Sequence, residues 1–335
     1  MSDWKQLLLG DPTGWLLEED NPSVRYLTLV DILGRPETVP EVKQARAAIM
    51  RTGVAPRVLA QQNPDGSWDR PDRPYHAKYR GTVWQLIILA GLLAEGDDER
   101  VRRGCEFVLE RLQDRSSGGF AMNQAVRAGG GRHREVLPCL TGNLAWALLR
   151  FGYGGDPRVE RAIGWLVRYQ RFDDGVVDPP TGWPYDTYEM CWGRHTCHMG
   201  VVKALKALAE IPASEWSRGV RRTIDQSVEY LLRHHIHKRS HDLAKVSKPG
   251  WRRFGFPRMW QTDILEILGI LTRLGYRDER MREAVDVVIS KQDADGRWKL
   301  ADTFNGKFLV DIEEKGAPSK WITLHALRVL KAWAT

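Results

Sequence analysis

Within twelve residues, E-M-C-W-G-R-H-T-C-H-M-G from Glu189 to Gly200, the chain carries Cys191, His195, Cys197 and His198. A further cysteine, Cys139, stands 58 residues before Cys197, in P-C-L-T-G. The two pieces superpose, Cys139 on Cys197 and Gly142 on Gly200, and each leads into a long apolar stretch. Thiolate and imidazole are ligands of zinc; three of them leave a coordination position open for water or substrate, and four close it. Cys139 follows Pro138, a residue suited to the first turn of a helix, where the dipole favours thiolate. The favoured ligand set is Cys139, Cys197 and His198. A helix beginning near Met190 would instead place Cys191, His195 and His198 at i, i+4 and i+7 on one face, and Cys191 could add a fourth thiolate. The competing explanation is plain: buried core thiols beside a hydrogen-bonded histidine. Cys105 fills the slot held by Ile163, Ile224 and Val285 in the equivalent helices and belongs to the core.

Other residues of chemical interest lie around this stretch. Asp186 and Glu189, in Y-D-T-Y-E-M-C, could serve as acid or base, or orient a metal-bound histidine. Trp84, Trp146, Trp183, Tyr185, Trp192, Trp260 and Trp321, with Tyr188 and Trp251, could line an apolar cavity and stabilise a cation through their ring faces; large aromatics also simply fill cores. Two loops are cationic. One is Gly129–Arg134, with Arg132 and Arg134. The other is 231–258, with Arg252 and Arg253. Either could grip a diphosphate or lie on an anionic membrane surface. The second loop has eight Lys or Arg against Asp242, so it accounts for the whole net charge of +7. A charge confined to one loop argues against a nucleic-acid binder, which would carry basic stripes along helices.

The elements that must position these residues form a repeat. Val42, Val101, Val159, Val220 and Met281 each sit one turn into an acidic or proline-bearing helix start, at spacings of 59, 58, 61 and 61. The apolar residues that follow, such as Ile163 and Leu166 or Val285 and Val288, mark one-sided amphipathic helices. Between them lie stretches apolar nearly all round: Val24–Leu33, Trp84–Leu93, Leu144–Phe151, Val201–Ala209, Ile264–Leu274 and Ile322–Trp333. A helix apolar on every side is buried on every side. Glycines at 34, 96, 152 and 275 fit helix C-caps. The expectation is an all-α single domain over 1–335, alternating six inner helices with five outer ones and an N-terminal stretch as the sixth outer partner. The end repeats are as apolar as the middle ones, which favours closure into an (α/α)6 toroid over an open solenoid.

The turns after the outer helices carry a second signature. Gln62-N-P-D-G-S-Trp68 and Gln292-D-A-D-G-R-Trp298 both read Q-x-x-D-G-x-W, with looser copies at Gln113 and Gln170. Such turns on a helical-hairpin repeat resemble those of squalene and oxidosqualene cyclases and of protein prenyltransferase β-subunits, which are α/α toroids. The D-x-D-D acid motif of those cyclases is missing, and Asp263 in W-Q-T-D-I-L-E is the nearest acid. The pair Cys139 in C-L-T-G and Cys197-His198 in C-H-M-G also resembles the zinc site of the lanthionine-forming cyclases. What the resemblance implies is a zinc-dependent enzyme acting on a hydrophobic small molecule, with a diphosphate or thiol group as options, in a central cavity. The alternatives are a non-catalytic binding protein with a structural zinc and a carbohydrate-active toroid, for which the inner helices offer Asp31, Asp263 and Glu266. Four cysteines are too few for a disulfide framework. The N-terminal stretch lacks the pattern of a secretory signal, so a reduced, cytoplasmic setting is expected, with 231–258 as a peripheral membrane contact.

Overall fold

The computed structural model describes residues 4–334. In chain order its helices are α1 (Thr13–Leu16), α2 (Pro22–Leu27), α3 (Pro40–Ala48), α4 (Val54–Leu59), α5 (Thr82–Gly91), α6 (Glu99–Arg111), α7 (Pro138–Arg150), α8 (Pro157–Tyr169), α9 (Glu189–Trp192), α10 (His198–Leu208), α11 (Arg218–Arg233), α12 (Ile264–Arg273), α13 (Arg282–Ile289) and α14 (Lys320–Ala334). Inner α5, α7, α10, α12 and α14 fall on the all-round apolar stretches, and α2 runs on through a π-turn at Thr28–Ile32. Outer α3, α6, α8, α11 and α13 fall on the amphipathic ones. Among the described residues no helix is long and apolar enough to cross a membrane.

The chain groups into two compact units. One comprises the chain up to Arg57, Leu231–Arg258 and the chain from Thr262; the other comprises Val58–Tyr230 with Met259–Gln261. In the second unit α7 packs along α10 and against α5. The α7–α10 approach depends on the glycines that the sequence repeat pairs. A Cβ on Gly142 would lie 2.5 Å from the backbone of Lys203, and one on Gly200 would lie 3.1 Å from the Pro138 ring.

Three of the four turns are sewn to their surroundings by the same bonds. The Trp68 amide donates to Thr82 Oγ1 (3.1 Å), the Phe120 amide to Thr141 Oγ1 (2.9 Å) and the Trp298 amide to Thr323 Oγ1 (3.0 Å), so a threonine in the first turn of each following inner helix anchors the turn. The glutamine that opens the turn reaches sideways. Gln62 Nε2 donates to Arg100 O at the start of α6 (2.7 Å), and Gln113 Nε2 to Arg158 O at the start of α8 (2.7 Å). In the other unit Gln292 Nε2 donates to Leu7 O (2.8 Å) while its Oε1 accepts from the Leu9 amide (2.7 Å), so the N-terminal stretch takes the place of an outer helix start. Gln170 departs from this pattern: its Nε2 donates to its own neighbour Arg171 O (2.8 Å).

Three of the outer helices are entered alike. Asp98, Asp156 and Asp278 each accept from the amide two residues on and pair with that arginine's guanidinium (Arg100, Arg158, Arg280). These caps satisfy amides that the first turn leaves without helical partners. Gly34, Gly152 and Gly275 adopt the positive φ expected of C-cap glycines, but Gly96 does not; Leu93 takes that conformation at the end of α5 (φ 64°). Gly96 is required for another reason, since a Cβ there would collide with the Phe151 carbonyl.

Residues 231–258 are not the open loop expected. They contain an antiparallel hairpin, β1 (Lys238–Arg239) and β2 (Asp242–Val246). Lys238 pairs with Glu283 (2.6 Å), Lys245 with Asp242 (2.8 Å) and Arg258 with Asp263, so part of the positive charge is balanced internally.

Candidate metal centre

Pro138 occupies the first turn of α7 and Cys139 follows it, its sulfur inside the unit. Cys197 lies just before α10 in extended backbone (φ −65°, ψ 108°), with His198 as the first helical residue. Because α7 and α10 are held together at Gly142 and Gly200, the two helix starts are neighbours and their cysteines lie within electrostatic reach of each other. The third thiol arrives from outside the repeat. After Gln170 the chain makes a long excursion that returns through α9, and Cys191 on α9 hydrogen-bonds to Cys197 and is within electrostatic reach of Cys139.

The excursion is held by Arg171, a residue that sequence reasoning missed. Its buried guanidinium donates from Nη1 to Trp192 O (2.7 Å) and Gly193 O (3.0 Å), and from Nε to Asp173 Oδ2 (2.7 Å). A buried, paired arginine fastening the two carbonyls after Cys191 fixes the path of the thiol loop. The α9 helix stops at Trp192 and Gly193 is extended. The i, i+4, i+7 face through Cys191, His195 and His198 therefore does not exist. His195 is exposed and held on Asp174 Oδ1 (3.2 Å), while the His198 ring meets Tyr230 of α11 (centroids 5.4 Å apart).

Burial pushes the Cys139 thiol up to about 12, nearby Cys197 adds to the shift, and the charge of Lys203 opposes it. Cys191 is raised most by its hydrogen bond to Cys197 and next by burial. Lys203, wholly buried in α10, and Lys78 both lie within electrostatic reach of Cys139. Among the described residues no group of three or more His, Cys, Asp or Glu side chains stands in a metal-holding arrangement. The donor types nonetheless suit a thiophilic cation, since thiolates flanked by lysines form a centre whose charge a divalent ion would balance.

Beside the thiols is an aromatic box. Lys78 Nζ lies over the rings of Tyr75 (5.0 Å), Trp84 (5.9 Å) and Trp260 (5.7 Å). Trp84 Nε1 donates to Tyr75 O (2.8 Å) and Trp260 Nε1 to Tyr79 Oη (3.0 Å), which fixes the walls. Burial lowers the Lys78 pKa, opposed by Cys139, and burial first, then Cys139 and Cys191, raises that of Tyr75. Of the expected pocket aromatics, Trp84 and Trp260 are the two that this box contains. Trp183 stacks on His133 (4.0 Å, 17°), and Tyr185 meets Trp192 edge-on (5.3 Å) next to α8. Trp146 points away at the far end of α7, donating to Glu210 Oε1 (3.0 Å) beneath Lys206 Nζ (3.6 Å). Trp321, in the other unit, stacks on Phe256 (4.1 Å, 9°).

The acids and arginines fall elsewhere. Asp263 is the N-cap of α12: it accepts from the Glu266 amide (2.7 Å) and the Gly255 amide (3.1 Å) and pairs with Arg258. Burial raises its pKa, with Arg258 opposing. Its polar contacts are a cap and a clamp on the 250–258 segment. Asp186 and Glu189 are exposed, and Asp186 faces Arg134 (3.6 Å). Arg132 pairs with Glu135 (3.1 Å). Arg252 and Arg253 are exposed in the first unit. Asp31, another inner-helix carboxylate considered for sugar chemistry, pairs with Arg328, and Glu266 stands in the first turn of α12.

No known family model matches this chain, and no curated protein matches it.

Proposed function

We propose that Cys139, Cys191 and Cys197 hold a zinc ion, and that the protein is a zinc-dependent enzyme of the terpenoid cyclase and prenyltransferase-like toroid group, acting on a hydrophobic substrate. The observation that carries this reading is the hydrogen bond between Cys191 and Cys197, with Cys139 of a third segment within electrostatic reach of both, beside the Lys78 box. Cys191 joins the set through its hydrogen bond to Cys197, and His198 of the sequence expectation, the first residue of α10, stays a candidate ligand beside it. Bound there, zinc would supply a Lewis acid or stabilise a substrate thiolate. The chain's own residues do the rest: Arg171 sets the thiol loop, Lys203 and Lys78 offset negative charge on sulfur, and the Trp84, Tyr75 and Trp260 rings hold the Lys78 ammonium in place beside an apolar group of the substrate. Closure of the repeats into an (α/α)6 toroid belongs to the same proposal. Its support is that Gln292 grips Leu7 and Leu9 as Gln62 and Gln113 grip the next outer helix. The exposed Leu243, with Lys248, Arg252 and Arg253, supports a peripheral contact of the hairpin segment with an anionic membrane.

The burial of Cys139 favours a second reading, a closed structural zinc in a binding protein. Metal analysis of the purified chain tests the centre: about one zinc per chain is expected, as for a single mononuclear site, and lost in Cys139→Ala, Cys191→Ala and Cys197→Ala. A metal-free wild type after growth with added zinc would overturn it. Cobalt substitution separates the two readings, since added small thiols change the spectrum of an open centre and leave a closed one unmoved.

A further inference from the structure

The sequence pointed to the Gly129–Arg134 loop as an anion grip through Arg132 and Arg134, yet those two face Glu135 and Asp186. The other side of the same loop is different. A cleft of about 490 Å³ lies between the end of α6, the Gly129–Gly130 turn and the first turns of α8, and Arg111, Arg115 and Arg161 line it. Among the described residues none of these three forms an ion pair with a carboxylate. Arg158, which also lines the cleft, is already neutralised by Glu106 (2.6 Å) and Asp156 (2.7 Å). Glu110 is the one lining acid.

The cleft is shaped to leave these guanidiniums accessible. Arg161 Nη2 donates to Arg115 O, and Arg111 Nη1 donates to Gln124 Oε1 (3.3 Å), so two of the forks are positioned by neutral acceptors. Gly129 and Gly130 both have φ 71°, and a Cβ on Gly129 would sit 2.6 Å from Arg115 Nη2. The turn thus brings bare backbone against Arg115 without a side chain to cover it. No aromatic residue lines the cleft, so it offers no platform for a stacked base.

We propose that this cleft binds a phosphoryl or pyrophosphoryl group. Planar guanidinium forks match the tetrahedral oxygens of such groups. Three arginines opposed by Glu110 suit a ligand of about two negative charges, as a phosphate monoester carries near neutral pH, better than a carboxylate with one. The site shares no residue with the thiol centre and stands whether or not that centre holds zinc.

Calorimetric titration of the full-length protein with inorganic pyrophosphate, and co-sedimentation with phosphatidylcholine vesicles with and without phosphatidic acid, test it. Binding that depends on Arg115 is expected in at least one arm, and the arm in which Arg115→Gln lowers it tells whether the phosphoryl group is free or on a lipid headgroup. Arg115→Gln and Arg161→Gln are each expected to weaken that binding roughly tenfold, the loss of one charge-assisted fork, while acetate binds far more weakly than pyrophosphate. Arg115 is exposed, so Arg115→Gln leaves the fold intact even where Arg161→Gln disturbs α8. Absence of binding in both arms overturns the proposal. So does binding that Arg115→Gln leaves unchanged in both arms, or acetate binding as tight as pyrophosphate.

Discussion

The thiol of Cys191 is hydrogen-bonded to that of Cys197, although a helix end and an extended loop separate them in the chain. His195, lying between the two, is turned outward onto Asp174. Cys191→Ser is therefore expected to lower zinc affinity by at least tenfold, whereas His195→Ala leaves it unchanged. Competition against a chromophoric chelator measures both, and equal losses in the two variants would return His195 to the ligand set.

Arg171 should matter as much as a ligand without touching metal. Arg171→Leu strands Asp173 and frees the Trp192 and Gly193 carbonyls, so stability is expected to fall by about 3–5 kcal/mol, the usual cost of breaking a buried pair. Zinc affinity should fall about 10–100-fold with it. Denaturant unfolding of the metal-free protein and chelator competition separate the two effects. Wild-type zinc affinity in a folded Arg171→Leu protein would remove its positioning role.

The helices were legible because burial follows apolar period: all-round apolar stretches became α5, α7, α10, α12 and α14, and one-sided stretches became the outer set. Cys139 and Cys197 were legible because the repeat carries both to the same level. Lys78, Tyr75 and Arg171 were not, since they stand in irregular chain where no period speaks. The aromatics were over-read for a related reason: residue type says that Trp146 or Trp321 is buried, and says nothing of whether Glu210 or Phe256 is its neighbour. The hairpin at 238–246 was invisible because H-K-R-S-H-D-L-A-K-V has no alternation of apolar and polar residues.

Three glycine variants test the packing beneath the centre. Gly142→Ala should destabilise by about 1–3 kcal/mol, as overpacking does, because the obstacle is the backbone of Lys203. Gly200→Ala should cost less, since it meets the edge of the Pro138 ring. Gly164→Ala in α8, with nothing within 4 Å of the new methyl, should stabilise by up to about 1 kcal/mol through helix propensity. Urea unfolding of the three gives the order, and a neutral Gly142→Ala would mean that α7 and α10 are free to part.

The acid limb of stability should carry the mark of the helix caps. The hydrogen bond from Arg280 holds Asp278 down to about 2, against about 3.9 in an unfolded chain. Its contribution is therefore complete above roughly pH 4 and is lost as pH falls toward about 2, because the unfolded state binds the proton first. Asp278→Asn keeps an oxygen for the Arg280 amide while removing the charge, so the melting temperature of this variant should vary less with pH over that window. Parallel wild-type and variant curves there would assign the acid loss to other carboxylates.

Gln62 and Gln113 bind their turns to the following outer helix, and Gln170 turns back on its own strand of chain. Relaxed symmetry at that one junction is what lets an extra thiol enter a scaffold otherwise dictated by duplication. It also isolates the excursion mechanically. A protease should nick the exposed Val176–Val177 region of the apo form while the helical layers stay intact, and occupancy of the sulfur cluster should shut that door.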